Sequence, residues 1–428
     1  MKLTVGSGCL ELLGRMSKAT LRRPMLGGVL APLAFIAVGL FVSLEFVRNE
    51  VPLPLPSHYS AAEQLIEQGV ITTPTPPYGF LPVGHPLLLA LFIGQFGPDG
   101  VVVLNAIAYA VTVLLAFALV RQFRGTTALG FAIMALVAFH PYMLLDIKRV
   151  NDNSMNALLF LALGYELYRI ARNKRASDYI GYGLCVGLLG TIRPNALVFL
   201  IPPLLIAPSA KLIRRYAAMV LACACIWMCV SFAAMRNPFF FPENGPITAF
   251  HGNNRYSKDA LLADLNGEGS TDAALRSAGL ESRPADPSVY SRLVAGFVWN
   301  HPGEWAELLG IKTFTLLRPD WRQADTPAKQ LLQVVLALPV PIWALSMLLR
   351  ARRGLDRSDW LMLVLVGLYV APFILINSDP RFRFSLDIAA IVDLARVWSG
   401  WRWRASSLDQ VELRARVGAR SAAPAPQS

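Results

Sequence analysis

Residues 101–120 read VVVLNAIAYAVTVLLAFALV, and the cations Arg121 and Arg124 follow almost directly. A helix of about 20 apolar residues spans the hydrocarbon core of a bilayer. Basic residues at one end of such a helix are typical of its cytoplasmic side. Apolar stretches bounded by charge or proline recur at Met25–Val47, Thr127–Leu145, Met155–Tyr168, Tyr179–Thr191, Ala196–Ala207, Tyr216–Ala234, Leu331–Leu349, Trp360–Ile376 and Leu386–Trp398.

The composition agrees with a chain embedded mostly in lipid. Of its 428 residues, 54% are hydrophobic and only 16% are charged, whereas soluble domains have about 25% charged residues. The net charge of +12 does not indicate a nucleic-acid partner, because the basic residues lie in short clusters between apolar stretches. Such clusters favour anionic lipid headgroups. The predicted fold class is an all-α polytopic membrane protein, with about nine to eleven transmembrane helices, juxtamembrane helices and one large extracytoplasmic loop.

The domain organisation follows from alternating the apolar stretches across the membrane with the basic clusters inside. Both termini are cytoplasmic in this topology, and Met25–Val47 is too long for the core of a cleaved signal peptide. None of the five cysteines lies in the large loop, so no disulfide framework is predicted. The predicted regions are a cytoplasmic tail (1–24), a transmembrane module (25–236) with an extracytoplasmic loop (48–84), an extracytoplasmic loop or small domain (237–329), C-terminal transmembrane helices (330–400) and a disordered cytoplasmic tail (401–428).

A few cations fall on the extracytoplasmic side and so break the positive-inside pattern. Arg193 interrupts an apolar stretch and precedes Pro194, which disfavours helical geometry at the arginine. An ionisable side chain at membrane depth is costly and is therefore a functional candidate, and guanidinium groups bind phosphate in bidentate fashion. The alternatives are snorkelling to lipid headgroups and pairing with Asp146, Asp152 or Asp379. The exceptional cations are Lys148, Arg149, Arg193, Arg318, Arg322, Arg381 and Arg383.

Acidic residues on the same side supply candidate catalytic groups. Asp152 opens a predicted helix, where it would either cap the first-turn amides or serve a site. Glu45, Glu50 and Glu63 follow the first helix, and a carboxylate there would be placed to take a proton from an acceptor hydroxyl. The five histidines show no ligand spacing, so no metal site is predicted. No GxxxxGK[ST] or GxGxxG motif is present, so a nucleotide-driven motor is not supported.

Six short motifs, in order along the chain, resemble the C-type (GT-C) membrane glycosyltransferases. The likeness is to the bacterial family related to lipid A aminoarabinose transferase and the protein O-mannosyltransferases. Each motif alone is weak, and their order and side of the membrane give the resemblance its specificity. The motifs are Tyr59 to Gly69, Pro82 to Ala90, His140 to Asp152, Thr191 to Pro194, Gly252-Asn253-Asn254, and Asp379 to Leu386.

The resemblance implies a fold, a donor and a set of roles. A polyprenyl-phosphate sugar would bring its phosphate to Arg193, Arg381 and Arg383, with Lys148 or Arg149 nearby, and these cations would stabilise the leaving phosphate. Tyr59 and His85 fall on motif positions near the donor, His85 where the family has tyrosine. The family has an aspartate four residues before the position of Tyr59, and this chain has Leu55. His58, Glu50 or Asp152 would then act as the base.

The leading hypothesis is a membrane glycosyltransferase that moves a sugar from a polyprenyl-phosphate donor to an extracytoplasmic glycolipid, polysaccharide or protein, with inversion. One alternative is a non-catalytic relative that binds polyprenyl phosphate, which Leu55 favours. The other is a lipid or sugar transporter, against which the single long loop and the lack of two matching halves argue. The predicted location is the bacterial inner membrane. No cofactor is predicted, and the sugar, the acceptor, a need for divalent metal and the oligomeric state stay open.

Overall fold

The computed structural model describes residues 24–46, 56–74, 80–123, 125–173, 175–206, 210–262, 268–284, 286–318, 327–376 and 383–399, and within these ranges it contains helices and no strand. The helices begin with α1 (Pro24–Phe46), α2 (Pro56–Gln68), α3 (Gly84–Phe96), α4 (Gly100–Gln122), α5 (Thr127–Ala138), α6 (Pro141–Leu145), α7 (Asn153–Asn173), α8 (Ala176–Ile192) and α9 (Ala210–Met235). They continue with α10 (Asn244–Gly252), α11 (Ser257–Leu262), α12 (Glu268–Ser277), α13 (Pro287–Asn300), α14 (Pro302–Leu317), α15 (Pro327–Ala337), α16 (Pro339–Ala351), α17 (Arg357–Leu375) and α18 (383–399).

Three helical stretches of the described chain are long and apolar enough to cross a membrane. They are Gly84–Gln122, Ile213–Met235 and Arg357–Leu375, and α5 with the following Pro141–Lys148 would make a fourth across a 52° bend. The all-helical polytopic membrane class is thereby confirmed. The number of nine to eleven transmembrane helices stays a prediction. Helix α7 is less apolar than these stretches. Its first turns carry Asn153, Ser154 and Asn156, which are buried inside the protein, and its last turns carry Glu166 and two arginines.

The stretch Gly84–Gln122 is not one continuous rod. Gly97 ends α3 with φ at +62°, a conformation that glycine adopts without strain. The chain then turns back so sharply that a Cβ on Gly100 would lie 2.4 Å from the backbone carbonyl of Phe92. Helices α3 and α4 therefore pack against each other as a hairpin, and the N-terminus of α3 reaches the same region as the ends of α7 and α8.

The predicted span Ala196–Ala207 is built differently from the expectation. Residues Pro194–Leu200 and Pro202–Ile206 form two short 3-10 helices. Pro194, Pro202 and Pro203 have no backbone N–H to donate, which interrupts the hydrogen bonding that a long α-helix needs. The bend after α8 leaves Arg193 at a chain corner, in an extended conformation.

Two hydrophobic cores share helix α7. Helix α18 contributes to both cores as well. The first core also contains residues of α8, α9, α16 and α17, and the second also contains residues of α1, α4 and α5. Helices α8 and α9 approach most closely, because a Cβ on Gly183 would lie 2.2 Å from the Met219 carbonyl oxygen and one on Gly187 would lie 2.8 Å from that of Cys223. Without a hydrophobic driving force inside lipid, such close backbone packing is a main source of helix association.

Ion pairs at the N-terminus of α17 join helices α16, α17 and α18. Asp359, in the first turn of α17, accepts from Arg350 of α16 and from Arg396 of α18. Arg396 also donates to Asp393 at 2.6 Å, and Trp343 Nε1 donates to the same carboxylate at 2.9 Å. These contacts leave the opposite end of α17, around Phe373 and Leu375, to meet other partners.

The predicted large loop contains helices α10 to α14 within its described part. Phe250 of α10, Leu275 of α12 and Tyr290 of α13 form a small core of their own. Trp299 at the end of α13 is 85% exposed, and Phe314 of α14 is 60% exposed. Exposed aromatic side chains are common where helices rest at a membrane surface, and the juxtamembrane position of α13 and α14 stays a prediction.

Candidate functional site

The predicted residues Arg193 and Asp152 form a bidentate ion pair. Arg193 Nε donates to Asp152 Oδ2 at 2.6 Å, and Nη2 donates to Oδ1 at 2.7 Å. Arg193 follows the last residue of α8, and Asp152 precedes the first residue of α7. Because these consecutive helices run antiparallel, both residues fall at the same end of the bundle. Pairing with an acid, one of the alternatives for Arg193, therefore describes this structure.

The chain that carries Asp152 is held by amide side chains. Asn105 Nδ2, from the second turn of the apolar helix α4, donates to the carbonyls of Asp146 at 2.9 Å and Arg149 at 2.9 Å. Asn151 Oδ1 accepts from the Asn153 backbone N–H at 3.1 Å, so Asn151 serves the start of α7. The expected capping by Asp152 is thus replaced by capping from its neighbour, and the Asp152 carboxylate serves Arg193.

His58 and His85 complete the cluster. Their rings meet edge to face at a centroid distance of 5.1 Å, and Asp152 and Arg193 act electrostatically on both. His85 reaches Arg193 because α3 begins with Gly84, where a Cβ would lie only 2.4 Å from Thr191 Oγ1. The predicted residues His58, His85, Asp152 and Arg193, spread over 136 positions of sequence, therefore lie together.

The charges of this cluster set the protonation of its members. Burial lowers the pKa of His58 below its ordinary value, Arg193 adds to this effect, and Asp152 opposes it. Burial raises the pKa of Asp152, but the charge and hydrogen bonds of Arg193, together with His85 and His58, lower it by more, so the net pKa lies well below its usual range. At neutral pH the cluster holds a carboxylate, a guanidinium and a neutral His58. His58 Nδ1 is enclosed and has no hydrogen-bond partner among the described residues.

Other predicted residues lie around or outside this cluster. Tyr59 is partly buried and packs beside Ala62 and Leu89. Lys148 and Arg149 are partly exposed on the segment that leads to Asp152. Glu50, Leu55 and Arg381 lie outside the described residues, so their predicted roles stay predictions.

Arg383 is placed differently from the expectation of an open phosphate ligand. Its side chain is fully buried, and Nε donates to Asp387 Oδ2 at 3.0 Å. Nη1 donates to the carbonyl of Leu317, the last residue of α14, at 2.9 Å, and to that of Arg318, the residue after it, at 2.5 Å. A cation at these unsatisfied groups stabilises a helix C-terminus. Phosphate binding by Arg383 stays a prediction, and it would require these contacts to be exchanged.

Several residues that the sequence did not single out border Arg193. Asn156 Nδ2 donates to Tyr369 Oη at 2.7 Å and to Ser385 Oγ at 2.8 Å, which joins α7, α17 and α18. The Phe373 ring lies 5.9 Å from the Arg193 guanidinium carbon. Tyr369 and Phe373, together called the aromatic wall below, line a narrow cavity with Arg193 and Asn156. Polar residues inside an apolar helix were the available signal for Asn156.

The part of the chain that the structure describes contains no group of three His, Cys, Asp or Glu side chains arranged to hold a metal ion. The His58–His85 pair lies beside Asp152, and the carboxylate of Asp152 is engaged by Arg193.

The apolar bundle defines the chain as a polytopic membrane protein with a buried ionic site at one end. The sequence model of the family described as dolichyl-phosphate-mannose-protein mannosyltransferase matches residues 82–235, about a third of the chain. Over that stretch the predicted resemblance to protein O-mannosyltransferases is confirmed. The matched stretch contains His85, Lys148, Arg149, Asp152 and Arg193.

A solved structure with a similar chain is the archaeal oligosaccharyltransferase AglB from Archaeoglobus fulgidus, in complex with an inhibitory peptide and a dolichol-phosphate. Sequence identity is 13% and the TM-score is 0.46. The match covers 93% of this chain and 52% of AglB, so the chain spans about half the length of that relative. No curated protein sequence matches the chain.

Proposed function

We propose that the protein is an inverting membrane glycosyltransferase that transfers a sugar from a polyprenyl-phosphate donor to an extracytoplasmic acceptor. One observation carries the proposal. Inside the stretch matched by the mannosyltransferase family, Arg193 and Asp152 form an ion pair that is largely shielded from water. Neutral His58, which precedes that stretch, lies beside the pair at one end of an apolar helix bundle. Such a site combines a group that binds an anion with a group that accepts a proton, at the border of a lipid phase.

The proposed reaction assigns each of these groups a step. The acceptor hydroxyl oxygen attacks the anomeric carbon, and the bond from that carbon to the phosphate oxygen breaks with inversion. His58 takes the hydroxyl proton, since burial lowers its pKa and keeps it neutral near pH 7. Arg193 stabilises the charge that develops on the departing phosphate. A second acid from the first loop, Glu50, is an alternative base.

Asp152 has a consequence for donor binding in this scheme. It already accepts two hydrogen bonds from Arg193, so the pair is electrically neutral before substrate arrives. A donor phosphate would bind the Arg193 guanidinium beside this carboxylate or in its place. Lys148 and Arg149 on the same segment would add positive charge. We propose that Asp152 holds the guanidinium in orientation until the phosphate engages it.

Location and orientation belong to the same proposal. The basic clusters between the apolar stretches support cytoplasmic termini and a site on the opposite side of the membrane. A bacterial inner membrane would supply both the polyprenyl phosphate and the anionic headgroups that these clusters favour.

The proposal is tested with purified protein in nanodiscs, a polyprenyl-phosphate sugar and extracted envelope acceptors. Arg193→Ala and Arg381→Ala are each expected to abolish transfer while the protein stays inserted. Arg255→Ala is the matched control, since Arg255 is 72% exposed and lies 4.0 Å from Glu304 in the large loop. Full activity of both site variants would exclude the phosphate clamp.

A deletion strain tests the same proposal in cells by mass spectrometry of surface glycans. Loss of one sugar would identify the donor and the acceptor class. An unchanged glycan profile, together with donor binding by the purified protein, would favour the non-catalytic relative, a reading consistent with Leu55 at the motif position of the aspartate.

A further inference from the structure

The Gly252-Asn253-Asn254 motif grips the end of helix α17. Asn253 Nδ2 donates to the carbonyls of Leu375 at 2.9 Å and Ile376 at 3.0 Å. Its Oδ1 accepts from Lys312 Nζ at 2.8 Å and from Trp305 Nε1 at 3.2 Å. One amide therefore connects α10, α14 and the C-terminus of α17, which are far apart in sequence.

Lys312 reinforces the same contact. Its side chain is fully buried, and Nζ donates to the Ile376 carbonyl at 3.0 Å and to that of Leu375 at 3.5 Å. The last carbonyls of a helix lack partners within the helix and carry partial negative charge. An ammonium has three donors for the three oxygens around it. The protonated side chain thus satisfies the whole set, whereas the neutral amine has one donor fewer.

The end of α17 also forms one side of the candidate site. Phe373 lies two residues before Leu375, and its ring lies over the Arg193 guanidinium. Tyr369, one turn earlier, accepts from Asn156 and lines the same cavity. Because the α17 carbonyls are fixed by Lys312 and Asn253, the position of the aromatic wall relative to Arg193 depends on that anchor.

We propose that Lys312, together with Asn253, is a positioning residue for sugar transfer, which acts by holding the aromatic wall of α17 against Arg193. The inference rests on the proposed function, and it adds the large loop to the machinery of the site. Neither residue touches the donor in this scheme. Both act through Tyr369 and Phe373.

Charged groups on the described helices around Lys312 pair with other residues, are exposed, or lie at a distance. On its own helix Glu307 pairs with Lys258 of α11 and Glu304 pairs with His301, while Arg383 of α18 pairs with Asp387. Asp259 of α11 and Arg292 of α13 are exposed, Arg318 Nη2 donates to the Leu261 carbonyl, and Asp359 lies at the other end of α17. Burial lowers the pKa of Lys312 to about 7.

The anchor should accordingly weaken as the pH rises through about 7, because the ammonium loses a proton and with it one donor. Lys312→Met removes the ammonium and keeps the length of the side chain. We expect it to transfer roughly tenfold more slowly than the wild type at about pH 6 and within about twofold of it at about pH 8.5, since hydrogen bonds from a charged group are the stronger ones. The matched control is Lys258→Met, which neutralises a partly exposed lysine of the same loop and should change neither rate.

Hydrogen exchange of the last turns of α17 supplies a readout that is independent of activity. After correction for intrinsic rates, amides near Leu375 should exchange faster in Lys312→Met than in the wild type at about pH 6, and the wild type itself should lose protection as the pH rises through about 7. The wild-type measurement needs no variant, so it decides the matter even if Lys312→Met does not fold.

Asn253→Asp is expected to shift the pKa of Lys312 upward, opposite to the effect of burial. Its carboxylate would lie beside the ammonium, which raises the pKa of Lys312, and the midpoint of the pH profile should move up by about one unit or more. An unmoved midpoint, or equal protection of α17 in wild type and Lys312→Met, would overturn the positioning role. If the wild type transfers no sugar at any pH, the proposed function is wrong, and the exchange experiment still decides whether Lys312 fixes α17.

Discussion

The Arg193–Asp152 pair makes the sharpest prediction about this molecule. Its two hydrogen bonds are short, and the side chains are only 12% and 17% exposed. The perturbation is a double-mutant cycle of Asp152→Asn, Arg193→Gln and the double variant. Each single variant leaves one charge without its partner in a place that water reaches poorly. The double variant leaves two neutral amides that can bond to each other.

The magnitudes follow from burial. Removing one partner of a buried ion pair costs about 3–5 kcal/mol, chiefly because the remaining charge stays desolvated. The double variant should cost less than the sum of the single variants by about 1.5–3 kcal/mol. The pKa of Asp152 is lowered in the fold, so its contribution is complete above the ordinary aspartate pKa of about 4 and is lost as the pH falls below it.

The cycle is measured by unfolding the four proteins in detergent at neutral pH and following helix content by circular dichroism. Arg255→Gln serves as the control for loss of an exposed arginine, and it should cost less than about 0.5 kcal/mol. Additivity of the single variants within about 0.5 kcal/mol would show that the pair is not formed in the protein. The account of Arg193 as a guanidinium oriented by Asp152 would then be refuted.

Three further outcomes are expected. His58→Gln should lower the transfer rate by roughly 10²–10⁴-fold. Because the pKa of His58 is lowered, the wild-type transfer rate should stay constant as the pH falls through about 6.5, the ordinary histidine pKa. A rate that falls with a midpoint near about pH 6.5 would contradict this prediction. Gly84→Ala should destabilise the protein by about 1–3 kcal/mol through contact with Thr191, while Gly94→Ala, with open space around it in the same helix, should not; equal melting temperatures would count against the α3–α8 packing. Arg383→Gln should cost about 3–5 kcal/mol by stranding Asp387, and recovery of both stability and transfer in Arg383→Leu with Asp387→Leu would identify a structural role, whereas stable protein without transfer would support phosphate binding.

Local rules of sequence identified the residues of the site better than their partners. Arg193 stood out because it interrupts an apolar stretch, and Asp152 stood out because it opens the next predicted helix on the same side of the membrane. That they pair depends on two helices folding back antiparallel, and His85 joins them only because the α3–α4 hairpin and Gly84 bring the start of α3 to the same end. These are properties of packing between distant segments, for which periodicity carries no signal.

Three features of the structure had signals in the sequence that charge placement overlooked. Arg383 and Asp387 are four residues apart, the spacing at which opposite charges meet on a helix. Lys312 is a single lysine in a mostly apolar stretch of α14. A lone lysine in such a stretch indicates a buried side chain with hydrogen-bond acceptors around it. The proline-rich Pro194–Ile206 likewise pointed to interrupted hydrogen bonding.

The glycine contacts between α8 and α9 bear on how ligands can exchange at Arg193. Backbone lies directly on backbone at Gly183 and Gly187, so α8 has little freedom to slide or rotate against α9. Arg193 is attached to the end of this stiff pair. Asp152 instead belongs to a short segment between helices, which amide hydrogen bonds hold in place of close backbone packing. When an incoming anion competes for the guanidinium, we therefore expect the carboxylate to swing away and the arginine to stay, which makes Arg193 the fixed reference point and Asp152 the leaving ligand.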